Sequence, residues 1–189
     1  MKRMLLPLLL GLCLLMTGCG KSRGEEAFDA FSDRINHLEA LTFMAQVRAE
    51  YEHKTARFTL SYREDADGAV VTVLAPELIA GIEGHVRPDG TTLEYDRVVL
   101  DTGSLDALGL SPMSSLPVFV HALRMGHCDS CWEEDGKTVL QLVPDDDLKC
   151  TVWFDKSDMT PLRAELITDG RVTVVLELHD WAETPSAGA

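Results

Sequence analysis

The chain has 189 residues, enough for one domain with a substantial core, and a formal net charge of −14 at neutral pH. With 31 acidic residues against 17 basic ones, it would repel nucleic-acid phosphates and gain little from anionic lipid headgroups, so no nucleic-acid partner is expected. A hydrophobic share of 46% beside 25% charged residues argues against disorder and for a real core.

Lys2 and Arg3 precede an apolar run from Met4 to Met16, and small residues follow, which are the three parts of a secretory signal. The run is too short to cross a bilayer as a helix, which takes about 20 residues. Thr17-Gly18-Cys19 at its end resembles the lipobox of bacterial lipoproteins, whose cysteine receives a diacylglyceryl group and becomes the mature N-terminus. Leucine usually stands three places before that cysteine. Here Met16 fills the same apolar slot, with Leu15 one place further back. The resemblance implies a signal peptide over residues 1–18, lipidation at Cys19, and a polar tether over 19–24. The mature chain would then sit on the extracytoplasmic face of the cell membrane. Two acyl chains give stable anchoring, each buried methylene contributing about 0.8 kcal/mol. The alternative is a plain secreted protein in which Cys19 is incidental.

Phe28, Phe31, Ile35 and Leu38 recur at helical spacing and predict an amphipathic helix. From Leu41 the period falls to two. Leu41, Phe43, Ala45, Val47, Ala49 and Tyr51 share one face, as do Ala56, Phe58, Leu60 and Tyr62 after a break at His53-Lys54-Thr55. The Asp65–Gly68 turn leads into Ala69 to Leu74, completing three antiparallel strands with one greasy face. Pro76 to Ile82 predicts about one helical turn. Short strands follow around Pro88-Asp89-Gly90 and at Val98 to Leu100. A second helix has Ser111 as cap, Pro112 at its first position and Gly126 where a left-handed C-cap belongs. Met113, Leu116, Val120 and Leu123 line one face, and Pro117 predicts a kink or a start moved to Ser114-Ser115. Asp135-Gly136, Pro144 to Asp147 and Asp169-Gly170 then punctuate a β meander, and residues 183–189 read as a disordered tail.

This order, with Val73-Leu74-Ala75-Pro76-Glu77-Leu78-Ile79-Ala80-Gly81-Ile82 and with Gly109-Leu110-Ser111-Pro112 before the second helix, resembles the superfamily of the periplasmic lipoprotein carrier LolA, the receptor LolB and lipoproteins such as LppX. The resemblance covers roughly Glu25 to Trp181. It implies an α+β fold over residues 25–182: a strongly curved antiparallel sheet, an open half-barrel, with helices across its concave face. It further implies an apolar cavity that holds acyl chains or another hydrophobic partner. On that basis Phe43, Val47, Phe58, Leu60, Leu116, Val120 and Leu123 are the expected hydrophobic ligand-binding residues. The partner would be a hydrophobic ligand or a lipoprotein, and the chain a monomer. Alternation alone does not distinguish a cavity from a filled core, so a closed-core structural or regulatory interaction protein at the cell envelope stands beside the carrier.

Cys128-Asp129-Ser130-Cys131 is a C-x-x-C preceded by His127. A redox pair wants a thiol at a helix N-terminus, whereas this pair follows a helix. A metal site could recruit His121 and His127, yet no second ligand pair stands at zinc-finger spacing. Ordinary strand or loop cysteines remain, with a local disulfide open. Two strand spacings of about 9.5 Å would separate Cys150 from them, beyond the roughly 7 Å that a disulfide spans, so Cys150 is expected as a free buried thiol. No H-E-x-x-H or serine nucleophile elbow accompanies the six scattered histidines. Asp145-Asp146-Asp147 lacks the other ligands of a calcium loop. No catalytic residue, metal or cofactor is expected, and the chain is read as no enzyme.

Overall fold

A computed structural model describes residues 22–51, 54–87, 90–95, 98–103 and 111–186. The signal segment, Cys19, His53, Pro88, Asp89, Gly109 and Leu110 lie outside the described residues.

The first helix, α1 (Arg23–Asn36), starts inside the stretch read as a tether. Its start is a capping box: the Ser22 hydroxyl accepts from Glu25 N at 3.2 Å, and the Glu25 carboxylate accepts from Ser22 N. An apolar stripe beginning at Phe28 gives no sign of this extra turn, but S-x-x-E does. The helix stops at Asn36, and Leu38, expected as its last apolar position, opens the first strand instead.

Among the described residues eleven strands follow: β1 (Leu38–Tyr51), β2 (Lys54–Asp65), β3 (Gly68–Ala75), β4 (Glu83–Arg87), β5 (Gly90–Tyr95), β6 (Val98–Gly103), β7 (His127–Glu134), β8 (Lys137–Val143), β9 (Leu148–Asp155), β10 (Pro161–Thr168) and β11 (Arg171–Pro185). A short 3-10 turn at Glu77–Ile79 joins β3 to β4, and the second helix, α2 (Pro112–Met125), joins β6 to β7. The strands form one antiparallel sheet in the order β6-β5-β4-β3-β2-β1-β11-β10-β9-β8-β7. Neighbouring strands are consecutive in sequence throughout except for β1 with β11, the pair that joins the two halves of the chain. The sheet is open, with β6 and β7 at its edges, and both helices pack their apolar faces on its inner side. This is the α+β half-barrel expected from the sequence.

The period-two reading places the core well. Leu41, Phe43, Ala45, Val47 and Ala49 are buried along β1. Tyr51 departs from that face's burial: it ends the strand and is 47% exposed. Across the pair, Leu60 and Tyr62 are buried, whereas Phe58 is only half-buried. Thr59 pairs with Ala75, the last residue of β3, so β2 runs on past its neighbour and Phe58 loses cover on that side.

Three further expectations are corrected. Residues 183–185 are not tail but the end of β11, because Glu183 takes Arg34 at 2.8 Å and the Trp181 indole at 2.8 Å, and Ser186 donates to the His37 carbonyl at 2.9 Å. Gly126 caps α2 with φ −68°, not in the left-handed region. Glycine is needed there for space, since a Cβ would collide with the Ala122 carbonyl oxygen. Pro117 does not move the start of α2 to Ser114-Ser115, for the helix begins at Pro112 behind a Ser111–Ser114 capping box and runs through to Met125.

Candidate functional site

Helix α2 lies over the concave face with Leu116, Phe119, Ala122 and Leu123 turned fully inward. Phe119 meets the edges of Phe43 at 6.1 Å and Trp181 at 6.5 Å, while Phe43 stacks on Tyr62 at 4.8 Å and on Trp181 at 5.0 Å. Trp181 reaches this cluster through a bulge. Thr42 pairs with Ala182 but Met44 with His179, and Asp180 between them has φ 52°. The centre of the half-barrel is therefore filled by side chains.

The open space lies to one side. A groove of about 790 Å³ runs between the outer flank of α2 and the concave ends of β2, β3 and β4, reaching the β8–β9 turn. Its apolar wall is Ala69, Val86, Pro117, Val118, Val120 and Leu148. Its polar rim is Glu64, Asp65, Arg87, His121, Arg124 and Asp145. A volume of this size falls in the range of about 300–1,000 Å³ typical of small-molecule pockets.

One polar network anchors the groove. Arg124 Nη1 donates to Glu64 at 2.6 Å, the Tyr62 hydroxyl donates to the other Glu64 oxygen at 2.7 Å, and Arg124 Nη2 reaches the Ile35 carbonyl at 3.5 Å. In return the Arg124 carbonyl accepts from Ser32 and Asn36 of α1. The network thus ties α1, α2 and β2 together. Burial and the Glu64 carboxylate hold the Tyr62 phenol neutral well above its ordinary range.

Of the seven residues expected to bind ligand, Val120 lines this groove. Val47 and Phe58 border a second hollow of about 440 Å³, together with Arg48, Arg57 and Pro76. Phe43, Leu60, Leu116 and Leu123 line neither. They are packing residues, buried by the aromatic cluster and by α2, which is the correction the structure makes to the expected set. Sequence reading did not single out Tyr62, Glu64, Arg87 or Arg124 as site residues. Of these, Arg124 carried a readable signal, the basic residue in the last turn of a largely apolar helix.

The C-x-x-C sits on β7, an edge strand. Cys128 pairs with Leu142 and Ser130 with Gln141, so a bulge at Asp129 brings Cys128 and Cys131 to the same face, against the core. Both thiols are free. Burial, then the neighbouring Cys131 and the acids Glu25, Asp129 and Asp29, push the Cys128 thiol up to about 11, opposite to the shift a nucleophilic thiol needs. Cys150 is free and buried, paired with Leu142 two strands from Cys128, as the turn spacing predicts. Among the described residues no group of three His, Cys, Asp or Glu side chains is placed to hold a metal ion.

No protein-family model matches the chain, and no curated protein matches it in sequence. Solved structures do match. A conserved protein of Thermus thermophilus is 14% identical with a TM-score of 0.50, over 83% of this chain and 87% of that one. An outer membrane lipoprotein-sorting protein domain of Vibrio parahaemolyticus is 14% identical with a TM-score of 0.49, over 88% and 95%. A LolA superfamily protein of Nitrosomonas europaea is 10% identical with a TM-score of 0.47, again over 88% and 95%. At such identities the likeness is one of fold, and the fold of this chain is the α+β open half-barrel that the sequence resemblance implied.

Proposed function

We propose that the chain is a lipid-anchored extracytoplasmic protein that holds a hydrophobic ligand, or the lipidated end of another protein, in the groove beside α2. The observation that carries this reading is the groove itself: about 790 Å³, with an apolar wall and a polar rim, opening between a helix and a concave sheet. Val118 stands half-buried in its wall, packed against the core and bordering the open space. Val118→Trp is expected to fill the groove and abolish binding of an environment-sensitive fatty-acid probe, with a loss of stability under about 1 kcal/mol because the half-buried side chain already borders open space. Unchanged probe binding by this variant would remove the groove from consideration.

Anchoring rests on the lipobox-like Leu15-Met16-Thr17-Gly18-Cys19. Cys19→Ala is expected to release the protein from the membrane fraction after a high-salt wash, since a chain this acidic has little else to hold it there. Retention of the variant would assign the anchor elsewhere.

A closed-core interaction protein remains the second reading. The observation favouring it is the complete burial of Phe119, Leu116 and Leu123 among sheet side chains, which leaves the centre of the half-barrel without free volume for a ligand. Failure of the wild-type chain to bind any apolar probe would select it.

A further inference from the structure

The open edge of the sheet carries two thiols that the groove does not use. β7 is that edge, with β8 its one neighbour among the described residues. Its bulge sets Cys128 opposite Leu142 and Cys131 opposite Leu140, so three steps of β7 span two of β8. In a regular strand, residues three apart point to opposite faces and stand about 10 Å apart. Here Cys128 and Cys131 share the core-side face, with Cα atoms about 6.8 Å apart by the two-residue step on β8, within the roughly 7 Å that a disulfide spans.

The side chains complete the approach. Cys128 Sγ donates to the Ser130 carbonyl at 3.3 Å, which turns the sulfur along the strand towards Cys131, the next residue. Both thiols are free and half-buried. Cys131 faces the first turn of α1, where a Cβ on Gly24 would collide with its sulfur. Glu25 and Asp29 of the same helix are near enough to act on Cys128 electrostatically. The pair sits where the edge strand meets the start of α1.

We infer that Cys128 and Cys131 are a modification site: in an oxidising compartment they close a disulfide that fixes the bulge of β7 beneath the first turn of α1. Only the compartment rests on the reading above, since disulfides form and persist outside the cytoplasm. The oxidant is a low-molecular-weight disulfide. One cysteine thiolate attacks it, forming a mixed disulfide and releasing one small thiol. The second thiolate then attacks the protein sulfur of that mixed disulfide and releases the other. Two protein thiols are oxidised, one small disulfide is reduced to two thiols, and both protons pass to them. Burial first, and then Cys131 and the nearby acids, raise the Cys128 thiol, and a thiol of high pKa is a poor leaving group. Such a bond is slow to reopen, as suits a staple and not a redox catalyst. A fixed bulge also keeps the open edge twisted away from pairing with another chain.

The test incubates the folded full chain with oxidised glutathione, unfolds it in an alkylating reagent and maps tryptic peptides by mass. Cleavage after Arg124 and Lys137 yields a peptide, residues 125–137, that holds both cysteines and no other. It is expected to be lighter by two hydrogens and to carry no alkyl group, while the peptide with Cys150 is alkylated. Cys128→Ser and Cys131→Ser, each alone, should instead retain glutathione on the remaining thiol. The urea midpoint of the wild type is expected to rise on oxidation, and that of Cys128→Ser combined with Cys131→Ser to stay the same in both buffers. Alkylation of both cysteines in the oxidised chain would overturn the inference, as would a bond that forms only after urea has unfolded the chain. A wild-type midpoint left unchanged or lowered by oxidation would overturn the role of the bond in fixing the bulge.

Discussion

Phe119→Ala is expected to cost about 3–5 kcal/mol of stability, read as a fall in the urea midpoint at unchanged slope. Phe119 is 0% exposed, and its ring packs edge-on against both Phe43 on β1 and Trp181 on β11. Those two strands form the central pair that joins the halves of the sheet. Truncation removes the buried ring and leaves a void that its aromatic neighbours cannot close without leaving their rotamers. Since a domain of this kind is stable by about 5–15 kcal/mol in all, the variant should be near its limit. Phe119→Leu, which keeps most of the volume, should recover more than half of the loss. A cost under about 1 kcal/mol for the alanine variant would mean that α2 is not seated as described.

Arg124→Ala is expected to be the most damaging polar substitution, at about 2–4 kcal/mol. The guanidinium and the Glu64 carboxylate are only 25% and 22% exposed, so the pair is screened far less than a surface ion pair. Removing Arg124 leaves Glu64 part-buried with the Tyr62 hydroxyl as its remaining donor, and frees the end of α2 from the Ile35 carbonyl. Glu64→Gln should lose less, because an amide in that position still accepts from Tyr62 and needs no counter-charge. In the double variant the two losses should fall short of their sum by about 1–3 kcal/mol, the signature of a direct pair. Additive losses would show that Arg124 acts through helix packing alone.

The fold is largely legible in the sequence because its strands follow one another. Alternation from Leu41 to Tyr62 and the Asp-Gly turns at 135–136 and 169–170 mark hairpins, and sequential hairpins build most of this sheet. Registers that depend on more than local pattern are not legible in this way. The bulge at Asp180 re-aims Trp181, and Glu183 ends up bound by Arg34, a residue from the opposite end of the chain. The site is less legible for a related reason. Leu60, Leu116 and Leu123 show the same greasy periodicity as Val120 and all four are buried, so only their position relative to the groove separates packing from wall. The groove's polar rim gathers from β2, β4, α2 and the β8–β9 turn, so no stretch of sequence contains it. The C-x-x-C illustrates the converse: a conspicuous motif whose bulge and raised thiol make it structural.

The pairing of β1 with β11 also sets a timetable. Ala45 lies against Leu178 and Val47 against Leu176, so the second strand edge of β1 stays bare until β11, more than a hundred residues further on, is available. Contacts between such distant positions must first meet the entropy of closing a very long loop, and they slow folding accordingly. A chain emerging N-terminus first can form the β1–β2–β3 hairpins early, but the two lobes cannot zip together until β11 arrives. During that interval β1 presents an unpaired, apolar-faced edge, the kind of surface on which chains cross-pair. The C-terminal strand thus acts as the closing latch of folding, and its loss would leave the N-terminal lobe complete in sequence yet open to other copies of itself.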